Sequence, residues 1–157
     1  MREAIAEARN AAGAGEIPVG AVVVKDGEII GRGRNRTEAL KDPTAHAETE
    51  AIREAAKTLG GWRLTGCDMY VTAEPCVMCA GALVLARVRK AFIGTRNPKG
   101  GACVSLRGIL QDERLNHAVE MEIGILQNEC ETVMKDFFAE LRGAKRGRIK
   151  KSEDGNI

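Results

Sequence analysis

The segment EPCVMCAGAL, residues 74–83, places two cysteines three positions apart directly after a proline. Residues three apart share one face of a helix, so Cys76 and Cys79 could bind a single ion. The chain has five cysteines and no secretion signal, and in that setting such a pair more often binds a metal or takes part in catalysis than forms a disulfide. A disulfide, a structural metal, a redox pair and a catalytic metal are the alternatives that the rest of the sequence must separate.

The composition is that of an ordinary globular protein. The 157 residues suffice for one domain with a hydrophobic core, and the aromatic content of 3% means that Val, Ile, Leu and Ala must fill that core. The N-terminus lacks the features of a signal peptide, and no apolar run is long enough to cross a bilayer. We therefore expect a soluble, cytoplasmic protein with no membrane association.

The C-terminal end is strongly basic. Residues 142–151, RGAKRGRIKK, hold six basic residues and no acidic one, although the net charge of the whole chain is only +2. We therefore predict a folded domain over residues 1–141 and a basic tail over residues 142–157 that is either disordered or extends the last helix. An anionic partner would be attracted chiefly to this tail.

The hydrophobic pattern alternates between strands and helices. Asp26-Gly27 is typical of a two-residue hairpin turn, and Asp42 followed by Pro43 is typical of a helix start. Alternating strands and helices indicate a mixed α/β layer fold in which helices cover one sheet. We predict helices over residues 1–13, 43–59, 76–86 and 125–142, and strands over residues 19–25, 28–34, 68–73, 89–94 and 117–123.

His46 is the residue that could complete a metal site with the two cysteines. It lies near the start of the predicted helix 43–59, just as Cys76 and Cys79 lie at the start of the next predicted helix. A helix N-terminus favours negative charge and so helps to form thiolates. Two thiolates and one imidazole suit zinc, and three protein ligands leave the fourth tetrahedral position open for water, as in catalytic zinc sites.

Glu48 could serve as the general acid/base beside such an ion. In a helix interior, residues two apart point to nearly opposite sides, so His46 and Glu48 can converge only if the ion lies off the end of the helix. Their position in the first predicted turn permits that arrangement. Glu48 would then lie beside the water without binding the metal, and could transfer its proton. His-x-Glu followed by Pro-Cys-x-x-Cys is the signature of zinc-dependent nucleobase deaminases.

Two alternatives for the cysteine pair fit the sequence less well. A redox pair would need no His-x-Glu motif. A structural zinc ribbon would need a second Cys-x-x-Cys or a histidine pair at the proper spacing, and the sequence contains neither. We therefore predict a catalytic zinc site, and keep a non-enzymatic, zinc-stabilised binding module as the alternative from a different class.

The chain resembles bacterial tRNA-specific adenosine deaminases, which belong to the cytidine-deaminase-like superfamily of zinc deaminases. The resemblance covers residues 1–141. It rests on the segments PVGAVVV, DPTAHAE, YVTAEPCVMCAGAL, RNPKGGACVSL, LNHAVE, GILQNEC and DFFAELR. The zinc motifs are shared with deaminases of free bases and nucleotides, whereas the later segments are similar to the tRNA-acting branch.

The resemblance implies a three-layer α/β/α fold with a mixed five-stranded sheet, and a homodimer whose sites lie near the subunit interface. It implies hydrolytic deamination of adenosine to inosine at the wobble position, with the tRNA anticodon stem-loop as partner. The zinc ion would be held by His46, Cys76 and Cys79, and Glu48 would transfer protons, which makes residues 1–141 a zinc deaminase domain. A deaminase of a free base or nucleotide, such as guanine, cytosine or dCMP, is the alternative.

The resemblance also implies substrate contacts near the predicted zinc site. Asn35 would contact the flipped base, because its amide offers both a donor and an acceptor to a purine edge. A turn residue that closes the hairpin is the alternative for Asn35. The backbone of Ala47 and the side chain of Val19 would line the pocket.

One loop departs from the family pattern. Where the family commonly has Arg-Asp, this chain has Arg96-Asn97, in a segment expected near the nucleotide backbone. Asn97 lacks the negative charge of Asp and can donate a hydrogen bond, so we expect this position to bear on the preference for ribose over deoxyribose. Arg96 and the basic tail are candidate phosphate contacts, whereas Phe138 is a candidate for stacking on a loop base and Phe137 for the core.

Overall fold

The computed structural model of the chain describes residues 1–153, and for residues 145–153 it describes the backbone alone. Most side chains of the predicted basic tail, together with residues 154–157, therefore lie outside the described residues. The helices are α1 (Arg2–Gly13), α2 (Thr37–Leu40), α3 (Ala47–Leu59), α4 (Val77–Leu85) and α5 (Gln127–Glu153), and the strands are β1 (Gly20–Lys25), β2 (Glu28–Arg34), β3 (Asp68–Ala73), β4 (Lys90–Thr95) and β5 (Glu120–Ile123).

The five strands form one mixed sheet in the order β2-β1-β3-β4-β5. Strand β1 is antiparallel to both β2 and β3, whereas β3, β4 and β5 run parallel to one another. Helices α1 and α5 contact each other and one face of the sheet, and α3 and α4 pack together on the other face. This arrangement confirms the predicted three-layer fold with a five-stranded mixed sheet.

The hairpin of β1 and β2 closes as the sequence predicts. Asp26 and Gly27 both have positive φ, at 51° and 84°, which a two-residue turn matched to the strand twist requires. Farther along the hairpin, a register shift between Val23 and Val24 marks a β-bulge. The second strand of this hairpin ends directly before Asn35, so the turn and the register determine where that residue lies.

Small residues bring α3 unusually close to β2. The side chains of Ala47, Ala51 and Ala55 are fully buried, and they recur at the four-residue spacing of one helix face. A Cβ atom added at Gly33 would overlap the backbone of Ala47, and one added at Gly31 would overlap the backbone near Ala51 and Ala55. The absence of side chains at Gly31 and Gly33 therefore allows α3 to rest directly on β2.

Helix α3 begins four residues later than the sequence predicts. Asp42 was expected to cap it, but its Oδ1 accepts hydrogen bonds from the backbone N–H and the hydroxyl of Thr44, at 2.8 and 2.7 Å. Asp42 therefore closes a short turn of its own. The helix instead begins at Ala47, with His46 as its extended N-cap residue at φ −86° and ψ 157°.

The last strand is also shorter than predicted. Strand β5 begins at Glu120, whereas the alternating pattern indicated a start at His117. The imidazole Nε2 of His117 lies 2.8 Å from the carbonyl oxygen of Val88, and the Val119 N–H donates to the carbonyl of Leu110. The His117 ring and the Val119 N–H are therefore bonded outside the sheet.

Within the described part of the chain, no helix combines the length and the apolar character that a bilayer span demands.

Candidate active site

Two helix N-termini bring three candidate metal ligands together. His46 is the N-cap residue of α3, Cys76 is the N-cap residue of α4, and Cys79 lies in the first turn of α4. The Nδ1 atom of His46 lies 3.7 Å from Sγ of Cys76 and 3.6 Å from Sγ of Cys79. All three ligand atoms fall within 4.8 Å of one another.

The geometry of this cluster fits one tetrahedral ion. Zinc bonds of about 2.3 Å to sulfur and 2.0–2.1 Å to nitrogen, at a tetrahedral angle, require sulfur–nitrogen separations of about 3.6 Å. The two observed separations from His46 agree with that value. The cluster offers two sulfurs and one nitrogen, which is a donor set for zinc with one position left for a further ligand. The sequence-based grouping of His46, Cys76 and Cys79 is therefore reproduced in space.

The surroundings of Cys76 favour its thiolate form. Hydrogen bonds from Cys79 and His46 lower the pKa of the Cys76 thiol to about 3. Donation to Cys76, together with burial, raises the pKa of Cys79. Zinc binding would require both cysteines as thiolates, because cysteine binds metals in its deprotonated form.

Glu48 lies beside this cluster in a buried position. It is the second residue of α3, and its side chain is only 3% exposed. Burial, assisted by the negative charge at Cys76, raises the pKa of Glu48 to about 7. Because His46 caps the helix, the ligand cluster lies off the helix end, which is the arrangement that lets His46 and Glu48 converge. A carboxyl with this pKa can both accept and donate a proton near neutral pH.

The cluster opens into a small cavity of about 180 Å³. Its wall contains six of the residues that the sequence singled out: Val19, Asn35, His46, Glu48, Cys76 and Asn97. The wall is completed by four residues for which the sequence predicted no role: Ile17, Thr37, Ala73 and Glu74. Proximity in sequence is the signal that could have indicated all four. Ile17 and Thr37 lie two positions from Val19 and Asn35, and Ala73 and Glu74 directly precede the cysteine motif.

Asn35 ties the end of β2 to the start of α3. Its Oδ1 accepts a hydrogen bond of 3.1 Å from the backbone N–H of Ala47, and its side chain is 7% exposed. This bond engages the Asn35 oxygen, and the amide NH₂ is a further donor for a ligand in the cavity. The Ala47 backbone was predicted to line the pocket, but Ala47 is fully buried and is not part of the cavity wall. Its N–H donates to Asn35.

A second cavity of about 570 Å³ adjoins the first, because Ile17, Val19, Ala73 and Asn97 line both. Arg96 and Phe138 lie in the wall of this larger cavity and not in the smaller one. Phe138 is 39% exposed and Phe137 is 8% exposed, which agrees with the predicted division of the two rings between surface and core.

A buried carboxylate organises the loop between these cavities. Glu74 is 2% exposed, and it accepts hydrogen bonds from the backbone N–H groups of Asn97, Cys103, Val104 and Ser105 at 2.8–3.1 Å. The hydroxyl of Ser105 donates a fifth, short bond. Burial alone would raise the pKa of Glu74, but these hydrogen bonds outweigh burial and lower it to about 2. Glu74 is therefore ionised at neutral pH, although it is buried in the wall of the smaller cavity.

Comparison with known proteins identifies the family. The sequence profile of the MafB19-like deaminases matches residues 1–142. The chain belongs to this deaminase family. The deaminase is 50% identical over 150 residues to the tRNA-specific adenosine deaminase of Bacillus subtilis strain 168, and the match covers 96% of this chain and 93% of that protein. The resemblance predicted from the sequence is thereby confirmed.

Solved structures agree with this assignment. The deaminase matches, with a TM-score of 0.82 and 44% identity, a structure from a study of A-to-I editing by tRNA:A34 deaminases at the wobble position of transfer RNA. That match covers 85% of this chain and 96% of the other. A guanine deaminase from Bacillus subtilis is 45% identical, but that match has a TM-score of 0.58 and covers 60% of this chain and 61% of the other.

Proposed function

We propose that the chain catalyses the hydrolytic deamination of adenosine to inosine, with release of ammonia, at the wobble position of tRNA anticodons. The observation that carries this proposal is that two neighbouring cavities share four wall residues. A small one holds Glu48 beside the candidate metal ligands, and a larger one opens next to it. The small cavity would take one base, and the larger one would take its neighbours in a polynucleotide. The names of the relatives support adenosine in tRNA as the substrate.

His46, Cys76 and Cys79 would hold a zinc ion, since their donor atoms and separations fit that metal. Zinc bound there would lower the pKa of a water ligand to about 7 and so supply the nucleophile. Helix starts position these ligands, because two of the three are helix N-caps and the third lies in the first turn of α4.

Glu48 would move the protons of the reaction. Its carboxylate accepts a proton from the attacking water and delivers it to N1 of the adenine ring, which makes C6 more electrophilic. After the hydroxyl has added to C6, the same carboxylate takes the remaining proton of that hydroxyl and donates it to the amino group. The C6–N bond then breaks, the C6 carbonyl forms and ammonia leaves. The side chain is buried and faces the cavity, so bulk water does not compete for these transfers.

Asn35 and Val19 would orient the base. Because Oδ1 of Asn35 is bonded to Ala47, its NH₂ group would donate to an acceptor nitrogen on the purine edge. Val19 is half-buried in the wall of both cavities and would contact the face of the base. A base reaches this depth only when it leaves its stack, and an anticodon loop presents unpaired bases that can do so.

The larger cavity suits the flanking nucleotides. Phe138 offers an exposed ring for stacking, and the side chains of Arg96 and Lys99 can neutralise phosphates. Asn97 lies in the wall of both cavities, where a ribose joined to the bound base would pass. The basic residues 142–151 would add further phosphate contacts.

A homodimer and a cytoplasmic location are parts of the same proposal. The outer face of α4 exposes Val77 and Leu85, at 60% and 67%, and Leu115 lies with Leu85 in the wall of a shallow cavity of about 400 Å³. An apolar surface on the helix that carries Cys79 supports a subunit interface near the active site. Sedimentation equilibrium would test this: Leu85→Asp is expected to give monomers, and monomeric wild-type protein would refute the interface.

An RNA stem-loop with adenosine at the wobble position tests the proposed reaction. Incubation with the purified protein is expected to yield inosine at that position and one ammonia per inosine. A matched stem-loop with guanosine at the wobble position and adenosine elsewhere in the loop serves as the control. Turnover of free guanine, cytosine or dCMP without any inosine in the RNA would establish the alternative, a small-molecule deaminase.

A further inference from the structure

We propose that Glu74 is a positioning residue that sets substrate affinity by holding the loop of residues 96–105 against the active-site cavity. This inference rests on the proposed function, because it assigns that loop to substrate binding. Glu74 follows β3 directly and precedes Cys76 by two residues, but its bonds lead away from the metal cluster and into the loop.

The hydrogen bonds to Glu74 converge from both ends of this loop. One carboxylate oxygen accepts the N–H groups of Cys103, Val104 and Ser105, and the other accepts the N–H of Asn97 and the hydroxyl of Ser105. A neutral side chain of the same shape cannot replace this pattern. In glutamine one of the two oxygens becomes a donor, which would face an N–H group that is also a donor.

The loop is built to receive this carboxylate. Gly101 is buried, and a Cβ atom added there would overlap the carboxylate of Glu74. The φ of Gly101 lies outside the left-handed region, so close approach accounts for this glycine and backbone strain does not. The loop therefore wraps around Glu74, and any change in the carboxylate is transmitted to the loop backbone.

The residues that this loop presents are those that line the cavities. Asn97 lies in both walls, and Arg96 and Lys99 flank it in the wall of the larger cavity. The Asn97 N–H is bonded directly to Glu74, and its side-chain oxygen accepts the N–H groups of Lys99 and Gly100 at 3.3 and 3.2 Å. Loosening of the bond to Glu74 would therefore shift the whole Asn97 turn, while the metal ligands stay on their helices.

Glu74→Gln is the direct test, with Asp68→Asn as the matched control. Asp68 begins the same strand and forms a bidentate ion pair with Arg89 at its opposite end, so its variant removes an equal charge far from the loop. Glu74→Gln is expected to raise KM for the stem-loop about tenfold, the effect of losing about one charge-assisted hydrogen bond. The kcat value and the zinc content are expected to stay close to those of the wild type, and Asp68→Asn to leave KM unchanged.

Amide hydrogen exchange supplies a readout that does not depend on the substrate. Exchange at Asn97, Cys103, Val104 and Ser105 is expected to accelerate about tenfold in Glu74→Gln and to stay unchanged in Asp68→Asn. Failure of the proposed function would appear instead as a wild-type protein that does not act on the stem-loop. Unchanged exchange at these four amides, or an unchanged KM with losses of kcat and zinc, would overturn the proposal.

Two further variants, which keep the Glu74 carboxylate, test the proposal if Glu74→Gln does not fold. Ser105→Ala removes only the hydroxyl donor, and Gly101→Ala places a methyl group against the carboxylate. Both are expected to raise KM and loop exchange in the same pattern, with the zinc content unchanged. Wild-type KM and exchange in both variants would count against the role of Glu74.

Discussion

The side-chain oxygen of Asn35 accepts a hydrogen bond of 3.1 Å from the backbone amide of Ala47, which joins the end of β2 to the residue that follows His46. This bond gives Asn35 two separable tasks. Its oxygen supports the start of α3 beside a candidate metal ligand, and its NH₂ group is a donor for a ligand, because Asn35 lies in the cavity wall.

Asn35→Asp separates these tasks, because it keeps the oxygen that accepts from Ala47 and removes the NH₂ donor. We expect the zinc content and the free energy of unfolding to be retained, and kcat/KM to fall by about tenfold or more. Asn35→Ala should lower kcat/KM and also destabilise the fold by about 1–3 kcal/mol, because it leaves the buried Ala47 amide without its partner. Wild-type kcat/KM in Asn35→Asp would show that the amide does not contact the base.

Glu48→Gln is expected to retain zinc and the fold but to lower kcat by about 10²- to 10⁴-fold, the usual contribution of a general acid/base. Glu50→Gln, two residues farther along α3, is the matched control, because Glu50 pairs with Arg53 on the surface of the helix. Its kcat should remain near the wild-type value. Loss of zinc or of the fold in Glu48→Gln would instead favour a structural role for the cluster and a non-enzymatic module.

Gly33→Ala should lower the affinity for zinc, although Gly33 is not one of the candidate ligands. The added methyl group would overlap the backbone of Ala47 and push the N-terminus of α3 from the sheet, at a cost of about 1–3 kcal/mol in stability. Competition with a chelator should also show lower zinc affinity, because His46 precedes Ala47. Gly13→Ala, which meets no atom within 4 Å, should change stability by about 0.5 kcal/mol or less. Equal zinc affinity in both variants would exclude this coupling.

Asn97→Asp should increase the preference for RNA over DNA. The Asn97 oxygen is engaged by the backbone of Lys99 and Gly100, so its NH₂ group remains for the substrate. Aspartate would place a second acceptor oxygen there, which the 2′-hydroxyl of ribose can donate to and deoxyribose cannot. We expect the ratio of kcat/KM on an RNA stem-loop to that on its DNA counterpart to rise about threefold to tenfold. An unchanged ratio would show that Asn97 does not take part in recognising the sugar.

The sequence predicted the residues whose chemistry requires a particular side chain. Zinc ligation and proton transfer demand His46, Cys76, Cys79 and Glu48 in a fixed relation, so the motif is visible without coordinates. The glycines and alanines of β2 and α3 are also regular in sequence, but the close contact between them depends on two elements that only the fold brings together.

The contacts that the sequence analysis missed are made by backbone groups. Glu74 accepts hydrogen bonds from four backbone N–H groups of a loop that lies 23–31 residues farther along the chain. Because every residue except proline carries such a group, residue type does not indicate which ones donate. The start of α3 was misplaced for a similar reason. Asp42 is a good helix cap by residue type, but its side chain closes a local turn with Thr44, and that competition is decided by geometry.

X-ray absorption at the zinc edge of the purified protein tests the central claim most directly. The account requires one zinc ion per chain, with two sulfur atoms at about 2.3 Å and lighter nitrogen or oxygen neighbours at about 2.0–2.1 Å. His46→Ala and Cys76→Ala should each lose the metal. A protein without zinc, or a zinc ion surrounded by three or four sulfurs, would contradict a catalytic centre built from His46, Cys76 and Cys79.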